Sequence, residues 1–86
     1  MNQLEIYRRQ IDRINQNILK SLKERDKISV KIGKYKKTNG NKVYDKKREQ
    51  EIIKKIKNSA LKNKLDEKHI VKIFKLIIKH SRKLQK

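Results

Sequence analysis

LEIYRRQIDRINQNILKSLKERDKISVKIGKYKK, residues 4–37, contains no proline and one glycine, Gly33. Alternate steps of three and four from Leu4 pick out Leu4, Tyr7, Ile11, Ile14, Ile18, Ser21, Arg25, Ile28, Ile32 and Tyr35. A stripe of this period is the seam of a packing helix, so residues 2–38 are predicted to form one long helix. Ser21 and Arg25 interrupt the stripe, and Leu22 covers the first gap. Nothing covers the second: a guanidinium in an apolar seam is costly to bury unless an anion meets it there.

The seam runs out at Thr38-Asn39-Gly40-Asn41, the one strong turn signal, where Gly40 or Asn39 can take a left-handed conformation. After a short connection through Val43 and Tyr44, Asp45 is suited to begin or cap a second helix over residues 45–60. Glu49 and Glu51 lie in its opening turns, Ile52, Ile53, Ile56, Ala60 and Leu61 line one side, and residues 58–63 read as a fraying end. Asp66 caps a third helix over residues 66–85, with a stripe of Ile70, Phe74, Ile77 and Leu84 flanked by Ile73 and Ile78. No strand-like alternation competes. The expectation is an all-α fold of one very long and two shorter helices in a single domain spanning residues 1–86.

The unequal lengths imply an assembly. At ~1.5 Å per residue the first helix is about 54 Å long, whereas a compact domain of this size has a radius of gyration of about 12 Å. Two short helices cannot cover it, so its seam calls for a second copy of itself in an intertwined homodimer.

Twenty-seven Lys and Arg against nine Asp and Glu leave a formal charge of +18. In an aperiodic chain that would mean disorder or a nucleic-acid-binding tail. Here the apolar residues are periodic, so the charge belongs on outer helix faces, where its field concentrates anionic partners. The absence of cysteine removes any disulfide framework, thiolate metal site or thiol nucleophile, and fits a cytoplasmic protein. His69 and His80 have no companion carboxylate cluster, so neither is expected to bind a metal. No apolar run approaches the ~20 residues of a membrane span, and the acid-containing N-terminus lacks a signal-peptide core.

The face carrying Arg25 also carries Lys36, eleven residues and three turns on, within about 20° of it and about 16 Å along the axis. Ser29 and Ile32 lie between them. Two long cationic side chains reaching toward each other leave a slot suited to a small dianion, although Lys36 taken alone is one solvated lysine among many. Arg8 is ~25 Å from Arg25 and turned about 100° from it, so it cannot serve that slot on its own chain. In a crossed dimer it could serve the partner's. On the second helix Asp45, Arg48, Glu49 and Ile52 share a face, which is also what a cap followed by surface charges looks like. On the third, Ser81 and Gln85 extend the apolar line of Phe74, Ile77 and Ile78 into polar territory, as any solvated helix end would.

Taken in order, these stretches resemble the all-helical, type II chorismate mutases. The resemblance covers essentially the whole chain and rests on Arg8 in YRRQID, Arg25 in LKERDKIS, Lys36 in IGKYK, Asp45, Arg48 and Glu49 in VYDKKREQEI, and Ser81 and Gln85 in IFKLIIKHSRKLQ. It implies conversion of chorismate to prephenate in aromatic amino-acid synthesis, with no cofactor or metal. It further implies two equivalent sites per homodimer, each completed by Arg8 of the other chain. Arg8 and Arg25 would hold the two substrate carboxylates, with Ser81 assisting. Lys36 and Gln85 would donate to the ether oxygen. Glu49 would take the substrate hydroxyl, Asp45 and Arg48 would order that corner, and Ile32, Ile52 and Ile78 would wall the pocket. No further domain is expected to be present.

Two other readings compete. An isochorismate pyruvate lyase of the same fold would use a similar cationic cage, but the presence of Glu49 with the full mutase set favours the mutase. A basic helical nucleic-acid-binding protein is what charge alone suggests. The lysines, however, are dispersed around all three helices, no basic stripe is interleaved with stacking aromatics, and Phe74 lies in an apolar run.

Overall fold

The computed structural model describes residues 1–86 and contains three helices: α1 (Gln3–Thr38), α2 (Lys46–Lys62) and α3 (Glu67–Gln85). Local chemistry accounts for their ends. The Asn2 side chain accepts the Glu5 N–H at 2.8 Å, Asp45 accepts that of Arg48 at 3.0 Å, and Asp66 accepts those of Lys68 and His69. Caps of this kind contribute about 1 kcal/mol each. Lys36 and Lys37 in the last turn of α1 complement its negative end. That helix closes with Gly40 at φ +69°, which lets the Asn41 N–H return to the Lys36 carbonyl at 2.8 Å.

α2 continues through most of the stretch that its asparagines marked for fraying. Ala60, only 2% exposed, holds that turn in the packing against α3, the one helix α2 touches. The end is then closed by a left-handed residue, here Lys64 at φ +56°, with the Lys64 N–H on the Leu61 carbonyl and the Leu65 N–H on that of Ala60. Leu61, expected on the packed side of this helix, is instead 56% exposed.

α3 is the hub. It packs on both α1 and α2, which do not approach each other. The result is a crevice with α1 and α2 as walls and α3 as floor, and Ile78 of α3 is buried there. Only the C-terminal half of α1 takes part. Residues 1–21 are all exposed, and the seam residues Leu4, Tyr7, Ile11, Ile14 and Ile18 are each 47–56% exposed. The chain therefore measures 57 × 25 × 15 Å with a radius of gyration of 16.4 Å, well above the about 12 Å of a compact domain of this length. No helix is long and apolar enough to cross a membrane.

Candidate active site

The crevice encloses a cavity of about 370 Å³, within the ~300–1,000 Å³ range of small-molecule sites. α1 contributes Arg25, Ile28, Ser29, Ile32 and Lys36, and the connection and α2 contribute Val43, Asp45, Arg48, Glu49 and Ile52. Ile78, Ser81, Arg82 and Gln85 come from α3. Four cations face two carboxylates, leaving a formal excess of two positive charges in the lining.

The pairing of those charges is informative. Arg25 donates through Nη1 to the Ser81 hydroxyl, linking α1 to α3. Lys36 donates through Nζ to the Val43 carbonyl at 2.9 Å and to Gln85 Oε1 at 2.7 Å. Both cations are thus held by neutral oxygens, and no carboxylate within the chain forms an ion pair with either. An ammonium can only donate, so it fixes the Gln85 amide with its oxygen toward Lys36 and leaves the amide NH₂ free to donate elsewhere. One of the three Lys36 N–H groups is likewise uncommitted.

The two acids are occupied differently. Asp45 caps α2 through its Oδ1. Glu49 receives a two-pronged grip from Arg82: Nε to Oε2 at 3.0 Å and Nη2 to Oε1 at 2.5 Å. That hydrogen bonding to Glu49 is the main cause holding the Arg82 guanidinium above its ordinary pKa. The same guanidinium lies 4.2 Å from the centre of the Tyr44 ring, a cation–π distance. Arg48, at the edge of the lining, stands 3.8 Å from Glu51 in an exposed pair that contributes little.

Gly33 sets how closely the helices approach. A Cβ there would stand 2.6 Å from both Cα and the carbonyl oxygen of Gln85. Only glycine lets the last turn of α3 rest on α1, and Lys36 projects one turn further along α1 from that contact.

Of the side chains singled out in the sequence, Arg25, Ile32, Lys36, Asp45, Arg48, Glu49, Ile52, Ile78, Ser81 and Gln85 surround this one cavity. Arg8 does not reach it: seventeen residues up an unbroken helix from Arg25, it stands ~25 Å away. Arg82, Tyr44 and Val43 at the cavity and its rim, and the close approach at Gly33, carry no signal in the sequence. Nothing local distinguishes Arg82 from its basic neighbours Lys79 and Lys83. No three His, Asp or Glu side chains group as metal ligands would.

The all-α fold thus holds a helical crevice in which two of the four lining cations, Arg25 and Lys36, have no carboxylate partner, an arrangement suited to a small anion. Residues 7–86 match the family model described as chorismate mutase type II. The chain is 34% identical over 85 residues to the bifunctional chorismate mutase/prephenate dehydratase of Buchnera aphidicola subsp. Schizaphis graminum, covering 99% of this chain and 22% of that protein. It is 33% identical over 79 residues to the chorismate mutase of Methanocaldococcus jannaschii, covering 92% of this chain and 80% of that one. A solved structure of a conserved hypothetical protein from Pyrococcus furiosus superposes with a TM-score of 0.79 at 30% identity, covering 100% of this chain and 99% of the other. The chain belongs to the type II chorismate mutase family, and it spans about a fifth of the length of the bifunctional Buchnera relative.

Proposed function

We propose that residues 1–86 form one chorismate mutase domain that rearranges chorismate to prephenate and works as a cytoplasmic homodimer. The observation that carries the reading is the state of Arg25 and Lys36. Two cations in one crevice are held by neutral acceptors alone, beside an amide whose donor end is free. A dianionic enol ether would supply what they lack.

The reaction is intramolecular: the ether C–O bond breaks as a C–C bond forms at the other end of the enolpyruvyl side chain, and no proton is transferred. The protein's task is to hold the substrate in a compact reactive conformation and to stabilise the oxygen that gains negative charge. Arg25, with Ser81 beside it, is suited to grip one carboxylate by its planar fork. Lys36 and the Gln85 NH₂ are aimed to donate to the ether oxygen. Glu49 keeps lone pairs for the substrate hydroxyl, with Asp45 and Arg48 ordering that corner, and Ile32, Ile52 and Ile78 form apolar walls against the ring.

In this reading the second carboxylate is taken by Arg8 of the other copy. The half-exposed seam from Leu4 to Ile18 supports such a copy, because fully burying one aliphatic side chain is worth about 1.5–3 kcal/mol. The test is to follow loss of chorismate absorbance and identify the product, with sedimentation at micromolar concentration. Prephenate from a dimer is expected. Absence of turnover overturns the mutase reading, and a folded monomer overturns the dimer.

A further inference from the structure

We propose that Arg82 is the positioning residue for Glu49: by fixing that carboxylate against the α2–α3 wall it keeps it available to the substrate hydroxyl and away from the cations that must receive the dianion. This inference rests on the mutase reading given above.

Glu49 is the one acid in the cavity not committed to a helix cap. It shares the lining with Arg25, Lys36 and Arg48. A flexible carboxylate in such a cage is a competitor for the substrate, since each ion pair it made with Arg25 or Lys36 would have to break before chorismate could bind. The observed geometry prevents this. Both Glu49 oxygens are engaged by a single guanidinium arriving from α3, along two parallel N–H···O bonds that fix the carboxylate plane as well as its position. Each oxygen retains a second lone pair, so the grip leaves Glu49 able to accept a hydroxyl proton donor.

Arg82 is itself restrained. Its guanidinium stacks over Tyr44 from the connection before α2, and the Arg82 and Glu49 side chains are only 35% and 22% exposed. The pair also forms a partition. Arg82 and Glu49 line both the main cavity and a second one behind it, of about 590 Å³, where Lys54, Lys57, Lys75 and Lys79 gather. Without Arg82, Glu49 would have cations on either side to turn toward, and the wall between the cavities would open. Tyr44, Arg82 and Glu49 thus act as a three-part brace spanning the connection, α3 and α2.

The test is a double-mutant cycle on the purified protein with chorismate as substrate. Arg82→Leu is expected to lower kcat/KM by about tenfold, a size ordinary for coupled neighbours, with KM raised because the freed carboxylate competes for Arg25 and Lys36. In a Glu49→Gln background there is no carboxylate to misplace, so Arg82→Leu should change kcat/KM by less than about twofold. Arg82→Lys keeps the charge but loses the fork and the planar stack, and should restore only part of the loss. If Arg82→Leu does not fold, Arg82→Lys in the two backgrounds gives the same comparison. Equal losses in both backgrounds, with helicity and sedimentation unchanged, overturn the proposal while leaving the mutase reading intact. A wild-type protein that does not turn over chorismate overturns both.

Discussion

Lys36 and Gln85, forty-nine residues apart in sequence, meet at 2.7 Å between Nζ and Oε1 across the contact of α1 with α3. This hydrogen bond orients both donors at once: it uses one N–H of the lysine and turns the amide NH₂ of the glutamine away from it. Fixed donors of this kind, left without an acceptor within the chain, suit an oxygen that becomes negative during a reaction.

Lys36→Ala removes the charged member of that pair. Losing one such electrostatic donor typically costs ~2.7–4 kcal/mol, so kcat should fall by about 10²–10³. Circular dichroism and sedimentation should be unchanged, because the side chain's hydrogen bonds are the two its ammonium makes, to the Val43 carbonyl and Gln85 Oε1. Near-normal turnover would remove Lys36 from the mechanism.

Gln85→Glu converts a donor that works at any pH into one that works only when protonated. The wild type should keep its rate through neutral pH. The variant should lose activity as pH rises and recover it toward acid, since a carboxylate's ordinary pKa is about 4.3 and the ionised form would accept from Lys36 and repel the ether oxygen. A pH–rate profile of the variant that tracks the wild type between pH 5 and 8 would show that this side chain does not touch the reacting atoms.

How far this arrangement was legible in the sequence depended on the distance over which each feature is determined. The long helix follows from period, and the caps of the two shorter ones from single side-chain oxygens at Asp45 and Asp66, each acting within three residues. Arg25 and Lys36 could be placed on one face because eleven residues make three turns. The Arg82–Glu49 grip could not be read in the same way: it links residues 33 apart and depends on how α2 and α3 cross. Arg82 is one of twenty-seven Lys and Arg, and its difference from the rest appears only when Tyr44 and Glu49 are seen around it. Likewise the exposed Leu61 and the left-handed Lys64 depend on where α2 leaves the packing, which its own periodicity does not specify.

Gly33→Ala tests whether the α1–α3 contact holds the donor pair in register. In an isolated helix the change would gain about 0.5–1 kcal/mol. Here the new Cβ would stand 2.6 Å from Gln85 backbone atoms, and overpacking of this kind costs ~1–3 kcal/mol. The end of α3 must move out and take Gln85 with it, and a displacement of about 1 Å at a reacting centre can cost 10²-fold. The variant should stay helical, melt at the wild-type temperature or below, and lose kcat by up to that factor. Full activity would mean that α3 accommodates the methyl group without shifting Gln85.

Arg8 and Arg25 provide the test of sharing between chains. On one chain ~25 Å of helix separates them, and only Arg25 lines the cavity. If Arg8 acts in the partner's site, homodimers of Arg8→Ala and of Arg25→Ala should each be impaired at both sites. In a heterodimer of the two, the chain that keeps Arg25 receives an intact Arg8 from the other, giving one complete site and one lacking both arginines. A heterodimer verified by mass or by dual affinity tags should therefore recover about half the wild-type kcat per dimer, as two-fold symmetry requires. Were both arginines to act within one chain, each site of the heterodimer would still lack one of them and no activity would return. The outcome separates the two arrangements without knowledge of the bound geometry, because it depends only on which chain carries which arginine.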